Sequence, residues 1–499
     1  MKKYNRFLIA LLAVSALTVS ACKESFLDLD PNNAITDQNF YKTQTDAIRA
    51  VNATYTPLQG LYNGAAWQIL DVMSDDTDKG GGGANDGVEV FELDNFTLTS
   101  FNPMVNTYYV QNYLGVQRAN IVLDKVPAIS EISPSVKSRC LGEAHFLRGY
   151  YYFMLVRLFG DVPLYTTPIS LDEAFKISRS PKAQVYETII ADLNKAIELL
   201  PKTRYTGDDA GRVNSWSAKG LLSSVYLTMG NKQLAAQNAI EVINSNVYNL
   251  NANYADNFSL TNENGIESLF EVQYRTTGQT WNFFGQGQAL NTFMGPRAEN
   301  LVASSGYGFN VPTPEFVANY ERNPAGVIID NRRGPSMWMP GDRFDNYVQK
   351  ASLEGSPNGY NVRKYFVPAT NVNADAGGWS CALNVPILRF SEILLIAAEA
   401  SGPGAGDQYI NRVRRRAGLP DIQSGLSATA FLEAVYKERR VELAFEMHRW
   451  FDLIRHPDPN YMVTTMNSVG KNAQTKHMLM PIPQGERDKN PNLTQNPGY

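Results

Sequence analysis

The chain has few of the side chains that most often carry catalysis or bind metals. Its 499 residues include three cysteines and four histidines. The histidines are scattered, with no metal-ligand spacing among them. The H-E-x-x-H, G-x-S-x-G, Walker and Cys-x-x-Cys motifs are all absent. No sequence feature therefore calls for a cofactor or a metal.

Positive charge is not in excess either. The chain has 45 Lys and Arg against 49 Asp and Glu, a formal net charge of −4. A protein that binds nucleic acid neutralises phosphates with a surplus of basic side chains. We therefore expect no nucleic-acid partner.

Long apolar runs are missing except near the start. Residues 7–19 are apolar and follow Lys2, Lys3 and Arg6. This run is shorter than the roughly 20 residues that cross a bilayer. A basic start followed by a short apolar core is typical of a signal peptide, which we assign to residues 1–21.

The signal peptide ends in Val19-Ser20-Ala21-Cys22. This sequence resembles the lipobox of bacterial lipoproteins, in which the cysteine thiol accepts the lipid. An ordinary secretory signal that happens to end in cysteine is the alternative. With Cys22 lipidated, several acyl chains on one residue give stable membrane anchoring. Only Cys140 and Cys381 then remain, and we expect two buried thiols rather than a disulfide framework.

Helical patterns dominate up to about residue 246. Ser180-Pro181 is expected to begin a helix, with Val185, Ile189 and Leu193 on one apolar face. Two further helices meet at Gly230 in a tight hairpin of tetratricopeptide type. A similar pair is expected at residues 387–400 and 408–417. There is no strict 34-residue period, so the pattern predicts scattered hairpins rather than a regular solenoid.

The character of the chain changes between about residues 249 and 384. This stretch is rich in Gly, Pro, Asn and aromatics, and has only short apolar runs. So much irregular chain usually forms a surface or a site. We therefore divide the mature chain into residues 22–248, helical, and residues 249–499, with a loop-rich insertion and closing helices.

Two charged segments have functional and structural interpretations. Residues 74–78 are acidic and precede a glycine run, but Gly87 stands where a calcium loop needs Glu, so a flexible acidic loop is favoured over a metal site. Arg412, Arg414, Arg415 and Arg416 lie on a predicted helix. Pairing with the acidic helix of residues 438–446 is favoured over nucleic-acid contact.

Several longer segments resemble one family. They are Ser25-Phe26-Leu27-Asp28 after the lipobox, residues 143–153, residues 159–164, RVRRRAGLP at 412–420, ERRVELAFEMHRWFD at 438–452, residues 480–483 and the closing residues 490–499. All are similar to SusD/RagB-family lipoproteins of Bacteroidetes, in the family's order. The resemblance spans essentially the whole mature chain.

This resemblance implies a mainly α fold, with tetratricopeptide-like helical hairpins as a scaffold and a loop-rich region carrying the ligand surface. It implies a non-catalytic lipoprotein on the outer face of the outer membrane. Such proteins capture glycans and pass them to a SusC-like TonB-dependent transporter. Lys23-Glu24 partly resembles the surface-export signal of these bacteria. The alternatives are a peptide-binding RagB-like lipoprotein and, from another class, a surface glycosidase. For Arg148 the expected role is a structural ion pair.

A glycan surface needs flat aromatic rings beside planar polar side chains, because a sugar has an apolar face and an equator of hydroxyls. Trp281 and Trp338 are expected to be exposed, since turn-forming or polar residues flank them and no helical period demands burial. The alternative for each aromatic is that it caps the core. The candidate ligand-binding residues are Trp67, Asp75, Asp76, Asp78, Trp281, Asn282, Phe283, Phe284, Arg297, Tyr307 and Trp338.

The membrane anchor gives a first testable prediction. Cys22→Ser removes the lipid acceptor, so we expect the variant to leave the membrane fraction in which the wild type is found. Immunoblots of membranes washed with alkaline high-salt buffer would measure this. A variant that still pellets after that wash would contradict the lipoprotein assignment.

Overall fold

The computed structural model describes residues 40–276, 285–302, 305–371 and 381–499. The predicted mainly α fold class is confirmed, with eighteen α-helices and short strands in that part of the chain. None of the described helices combines the length and the apolar character needed to cross a bilayer.

The helices of the first half form the scaffold. They are α1 Gln44–Asn63, α2 Ala65–Leu70, α3 Val88–Asp94, α4 Pro103–Lys125, α5 Pro134–Phe159, α6 Leu171–Ala174, α7 Lys182–Leu199, α8 Ser215–Thr228 and α9 Lys232–Asn244. The long helix α5 packs against α4 and α7, and α4 packs against α1.

The second half has shorter helices separated by irregular chain. They are α10 Leu290–Met294, α11 Pro314–Val317, α12 Arg333–Ser336, α13 Phe390–Ser401, α14 Asp407–Arg416, α15 Ala428–Glu442, α16 Arg449–Ile454, α17 Tyr461–Ser468 and α18 Gln484–Lys489. Helix α13 packs against α9, α14 and α15, and so joins the two halves.

The described strands pair into five short antiparallel ribbons. The strands are β1 Thr77–Gly80, β2 Val162–Pro163, β3 Arg179–Ser180, β4 Ser268–Val272, β5 Phe309–Pro312, β6 Met337–Trp338, β7 Arg343–Phe344, β8 Tyr347–Val348, β9 Asn361–Val362 and β10 Val385–Arg389. The pairs are β1–β5, β2–β3, β4–β10, β6–β9 and β7–β8. The β1–β5 ribbon brings the early chain against the loop-rich region.

Local signals explain the helix ends. In α1, Thr43 and Asp46 form a capping box, with the Thr43 backbone N–H donating to Asp46 Oδ2 at 2.9 Å. Helix α7 buries Val185 and Ile189 as expected, but it begins one residue later than predicted. Ser180 belongs to strand β3, where it pairs with Val162, so Pro181 takes the N-cap position.

Both predicted hairpins are confirmed. Helices α8 and α9 pack against each other around Gly230, whose φ of 78° suits glycine. Helices α13 and α14 form the second hairpin, although Ile387 belongs to strand β10 rather than to the helix. The helix begins later than predicted because the segment that precedes it pairs with β4 as strand β10.

One large hydrophobic core contains residues from both halves of the chain. The predicted division at residue 248 stays a prediction. Cys140 and Cys381 are buried free thiols, as expected. Arg148 forms the expected structural ion pair, with its Nη2 atom 2.7 Å from Asp192 Oδ1.

A second kind of core consists of charged side chains. Arg389 lies at its centre, with Nη1 2.6 Å from Glu267 Oε1 and Nε 2.7 Å from Glu446 Oε2. We call this set the buried ion network; its members are Arg332, Lys364, Arg389, Arg414, Arg416, Glu267, Asp330, Glu438, Glu442 and Glu446. Such a network is stable only when every charge has a partner.

The arginine run on α14 joins this network in part. The predicted pairing with residues 438–446 is confirmed for Arg414, whose Nη1 lies 3.1 Å from Glu438 Oε2, and for Arg416, which contacts Glu442 at 2.5 Å. Arg415 instead pairs with Asp421 on the surface, and Arg412 lies over the Phe390 ring. Neighbouring side chains on a helix point in different directions, so two of these arginines reach the ion network and two do not.

The segment before β1 is not the flexible acidic loop that the sequence suggested. The Asp75 and Asp76 side chains are 2% and 3% exposed. Asp75 Oδ1 lies 2.8 Å from Arg449 Nε, and Asp75 Oδ2 lies 2.9 Å from Arg440 Nη2. Arg440 Nε also lies 2.5 Å from Asp76 Oδ1. Both aspartates are structural, because partners more than 360 residues away in sequence hold them.

Lys471 fixes the same segment from another side. Its ammonium donates to the backbone carbonyls of Val72, Ser74 and Thr77 at 2.7–2.8 Å. It also lies 2.7 Å from Asp94 Oδ1. The segment is therefore anchored through backbone and side chains alike. The Asp78 side chain is 57% exposed, and its Oδ1 lies 3.8 Å from Lys471 Nζ.

Two aspartates three residues apart give a matched test. Asp75→Asn leaves Arg449 without its carboxylate, and we expect it to lower the free energy of unfolding by about 3–5 kcal/mol. Asp78→Asn, the control, changes an exposed side chain and should cost less than about 1 kcal/mol. Urea unfolding of both variants at neutral pH would measure the difference. Equal losses would contradict the structural role of Asp75.

The ion pairs of Asp75 with Arg449 and Arg440 also predict that stability depends on pH. Burial opposes ionisation of Asp75, but Arg449 and Arg440 outweigh it and hold the pKa of Asp75 well below its ordinary value of 3.8. A lowered pKa contributes stability that is complete above the ordinary value and is lost as the pH falls below it. The difference in the free energy of unfolding between the wild type and Asp75→Asn should therefore become smaller at acidic pH.

Candidate functional site

The β1–β5 ribbon builds the most distinctive surface of the loop-rich region. Gly80 pairs with Phe309, and the Gly81 backbone N–H donates to the Gly308 carbonyl at 2.9 Å. Gly80, Gly81 and Gly82 thereby lie against Gly308, Phe309 and Arg297, respectively. We call this the glycine-loop surface; it comprises residues 80–83, Asp86, Arg297, Tyr307 and Glu354.

Glycine is required here by close approach. Gly81 has a φ of 71°, and a Cβ there would lie 2.7 Å from the Phe309 ring. A Cβ on Gly82 would lie 2.5 Å from a guanidinium nitrogen of Arg297. Both distances are shorter than real Cβ contacts, so a side chain at either position would displace Phe309 or Arg297.

A lysine holds the loop from within. The Lys79 ammonium donates to the carbonyls of Gly80 and Gly83, at 3.1 Å and 2.7 Å, and lies 5.3 Å from the centre of the Phe309 ring. The Gly82 N–H donates to Asp86 Oδ2 at 2.7 Å. The glycine loop is therefore shaped by its own polar contacts and does not need a ligand to fold.

Arg297 is the central polar group of the surface. Its Nη1 lies 3.1 Å from Asp86 Oδ2 and donates to the Tyr307 carbonyl at 3.0 Å, while its Nε lies 3.3 Å from Glu354 Oε2. Both carboxylates are exposed to solvent, so each pair contributes roughly 0–1 kcal/mol. A planar donor whose carboxylate partners reach solvent can exchange a carboxylate for another acceptor.

Aromatic rings lie directly beneath. The Trp67 ring centre is 5.6 Å from that of Phe293, which is 5.8 Å from that of Tyr307. Trp67 is 1% exposed, and its indole N–H donates to the Asn63 carbonyl. The expectation that Trp67 contacts a ligand is therefore wrong, because its ring packs in the core. Tyr307, half-buried, is the outer end of this aromatic cluster.

The helix that follows the glycine loop exposes two apolar side chains. Val88 and Phe91 lie one turn apart on α3, the helix that follows the glycine loop, and both are exposed. Exposed apolar side chains suit a ligand that has an apolar face.

Trp338 does not belong to this surface. Its side chain is fully buried, and the Arg363 guanidinium stacks 3.9 Å above its ring. Phe366 and Tyr347 pack edge-on against the same ring. The predicted exposure of Trp338 is wrong. The sequence around it has no helical period, but pairing of β6 with β9 buries the residue.

The remaining candidates divide into two groups. Asp75 and Asp76 lie in the ion pairs described above, and Asp78 is exposed on β1. Trp281, Asn282, Phe283, Phe284 and the predicted lipid acceptor Cys22 lie outside the described residues. Of the predicted set, the structure thus brings together Arg297 and Tyr307 at the surface, with Trp67 beneath them.

Sequence reasoning missed four residues of this region. Lys79, Asp86, Phe309 and Glu354 are neither aromatic outliers nor part of a motif. The available signal was the glycine run itself, since consecutive glycines indicate that another chain segment approaches the backbone closely. The identity of that segment depends on the β1–β5 pairing, which joins strands about 230 residues apart.

Two grooves lie elsewhere. One of about 330 Å³ has Tyr55, Gln59, Gln273 and Gln286 among its lining residues. The other, of about 830 Å³, lies at the end of α5. We take the glycine-loop surface as the candidate site because it brings Arg297 and the half-buried Tyr307 together above an aromatic cluster. Among the described residues no group of three or more His, Cys, Asp or Glu could hold a metal ion.

Two family models match the chain. Residues 266–499 match the model described as the SusD family. Residues 25–227 match a SusD-like model described as starch-binding and associating with the outer membrane. Together the two matches cover most of the chain.

Individual proteins give the same result over nearly full length. A SusD-like protein of Formosa agariphila is 29% identical over 539 aligned positions, which cover 100% of both chains. A solved laminarin-binding SusD-like protein superposes with a TM-score of 0.81 at 30% identity, covering 92% of this chain and 100% of that one. Surface glycan-binding protein A of Bacteroides thetaiotaomicron, solved in complex with laminarihexaose, has a TM-score of 0.76 at 25% identity, covering 91% and 100%.

Proposed function

Since the chain belongs to the SusD family, we propose that it is a non-catalytic, cell-surface lipoprotein that binds glycans and delivers them to a SusC-like TonB-dependent outer-membrane transporter. The observation that carries this proposal is the full-length similarity to a laminarin-binding protein of the same fold. Laminarin is therefore the first glycan to test.

The glycine-loop surface supports the proposal by its chemistry. Arg297 presents a planar donor, and its present partners are exposed carboxylates that exchange with little loss of free energy. Tyr307 offers a half-buried ring, and Val88 and Phe91 offer apolar contact. A sugar ring matches such a surface, because it needs apolar contact on one face and hydrogen bonds at its edge.

The residues that follow β4 complete the proposed site. Trp281, Asn282, Phe283 and Phe284 stay candidates on the strength of their sequence alone. An exposed tryptophan is a favoured anchor because it has a large flat face and loses little rotamer entropy on binding. We propose Trp281 as this anchor, and Asn282 as a partner for ring hydroxyls.

The membrane arrangement follows from the N-terminal sequence and the family. We propose that residues 1–21 are removed, that Cys22 carries the lipid, and that the protein is held on the outer membrane by this anchor. The description of the matched N-terminal family as associating with the outer membrane supports this location.

Two alternatives make different predictions for a binding assay. A RagB-like protein would bind peptides instead of glycans. A surface glycosidase would release products from a glycan that it binds. The laminarin-binding relative favours glycan capture over both. Chromatography of laminarin after long incubation separates a binder, which leaves the glycan intact, from an enzyme.

Substitutions at the proposed site test the function directly. We expect Arg297→Ala and Trp281→Ala each to weaken laminarin binding by about 1–3 kcal/mol, because each removes a main contact. Thermal stability should change little, since the carboxylates that lose Arg297 are exposed to solvent. Calorimetric titration with laminarin gives the affinity, and thermal melts give the stability.

Arg415→Ala is the matched control. Arg415 also forms an exposed ion pair, with Asp421, but it lies on α14 and outside the glycine-loop surface. This variant should bind laminarin as the wild type does. Unchanged affinity in both site variants would overturn the site assignment, and absence of glycan binding by the wild type across a polysaccharide screen would overturn the function.

The delivery step has its own test. The protein needs a transporter to move a captured glycan across the membrane, so we expect it to co-purify with a TonB-dependent barrel after gentle solubilisation. Mass spectrometry of the affinity-purified complex would identify the barrel. Recovery of the lipoprotein alone, under conditions that preserve comparable complexes, would contradict the delivery role.

A further inference from the structure

A second surface shares no lining residue with the glycine-loop surface. It is a groove of about 830 Å³ at the C-terminal end of α5, bordered by the start of α7, the end of α8, α16 and the chain's C-terminal segment. Its charged lining consists of Arg157, Arg179, Lys182 and Arg455 against a single carboxylate, Asp161. We call it the basic groove. The chain as a whole is acidic, so this concentration of positive charge is unusual within it.

Arg157 is the key side chain of the basic groove. Its guanidinium lies between two rings, 3.5 Å from the centre of Phe451 and 3.9 Å from that of Phe153. Its described hydrogen bonds go to the Phe153 carbonyl and the Met154 sulfur. Among the described residues no carboxylate lies within 4 Å of it. The ring faces orient the cation, but none of these contacts neutralises its charge.

Arg179 and Lys182 extend the positive charge along the wall. Arg179 donates to the backbone carbonyls of Phe159, Asp161 and Thr494, which position it without a counter-ion. Lys182 is exposed at the start of α7. Asp161 accepts the Lys182 backbone N–H at 2.8 Å, so its carboxylate is engaged at the helix start.

The fourth cation is different. Arg455 pairs with Glu399 at 2.6 Å and with Asp452 at 2.7 Å, so its charge is already balanced. The same holds for the arginines of the buried ion network. Arg157 is half-buried without that balance, and the Asp161 charge only partly offsets the burial of Arg179; burial lowers the pKa of both. An anion entering the basic groove would supply the missing charge.

The rest of the lining indicates what carries that anion. Met229, Ile454, Met478, Leu479 and Pro497 contribute flexible aliphatic surface, and Met229 is exposed. Methionine and aliphatic side chains suit leucine-like or valine-like partners. Planar amides, which would hold sugar hydroxyls, are represented by Asn496 alone in this lining, and its amide group already donates to the carbonyls of Phe159 and Met480.

We propose that the basic groove binds an acidic, leucine-containing peptide segment of a partner protein. Acidic side chains pair with Arg157 and Lys182, while apolar side chains of the same segment pack on Met229 and Ile454. The groove shares no residue with the glycine-loop surface. Peptide binding and laminarin binding can therefore fail independently of each other.

The test uses the full mature chain and two labelled peptides. One alternates Glu and Leu, and the other alternates Lys and Leu. Fluorescence anisotropy should detect binding of the acidic peptide only, with affinity that falls as salt rises, because the contacts are electrostatic. Polygalacturonate, an anionic glycan, serves as a competitor of a different chemical class.

Two variants place the binding in the groove. Lys182→Glu reverses an exposed charge and should weaken acidic-peptide binding about threefold to tenfold. Arg157→Met keeps a linear side chain between the two rings and removes the charge. It should weaken binding similarly while the melting temperature stays near that of the wild type, since no carboxylate loses its partner. Lys195→Glu, also exposed on α7 but outside the groove lining, is the control and should bind as the wild type does.

Three results would overturn the proposal. The first is no binding of the acidic peptide, and the second is equal binding of both peptides. The third is that polygalacturonate binds tightly and the acidic peptide does not, and that Lys182→Glu and Arg157→Met both abolish polygalacturonate binding. The groove would then be a site for anionic glycans. Laminarin titration of Lys182→Glu should match the wild type in every case, because that variant leaves the glycine-loop surface intact.

Discussion

Buried ion pairs organise this protein, around Arg389 within its second half and at Asp75 and Asp76 between the two halves. Arg389 on β10 contacts Glu267, just before β4, and Glu446, after α15, while Arg440 and Arg449 hold Asp75 and Asp76. Each of these charges would be costly to bury alone, and removing one partner from such a pair costs about 3–5 kcal/mol. The positions of β1, β5 and the glycine loop all depend on the second set of pairs, because Asp75 and Asp76 immediately precede β1.

Much of the scaffold could be predicted from local patterns. The face of α7, the α8–α9 hairpin and the pairing of Arg414 and Arg416 with α15 follow from helical periodicity and from charge patterns along single helices. The family could be predicted as well, from segments spread along the whole mature chain. These features are encoded by residues close in sequence or by motifs that keep their order.

The proposed ligand surface could be predicted only in part, for a physical reason. Arg297 and Tyr307 were identified as aromatic and polar residues in irregular chain, and the structure places them on one surface. Four other residues predicted to share this role are buried instead, namely Trp67, Trp338, Asp75 and Asp76. Remote segments cover them: β9 and Arg363 cover Trp338. Arg440 and Arg449 cover the aspartates. Burial in irregular regions depends on such distant partners, and a local pattern carries no information about them.

The two kinds of ion pair differ in how they respond to ionic strength. Mobile ions screen exposed charges over about 10 Å at 0.1 M salt, but they do not enter a packed interior. The pairs of Arg297 with Asp86 and Glu354 are exposed, whereas those of Arg389 and Arg449 are not. High ionic strength would therefore weaken the pairing of Asp86 and Glu354 with Arg297, while the buried ion pairs keep their geometry. The Arg297 guanidinium would then become easier for an uncharged ligand to reach.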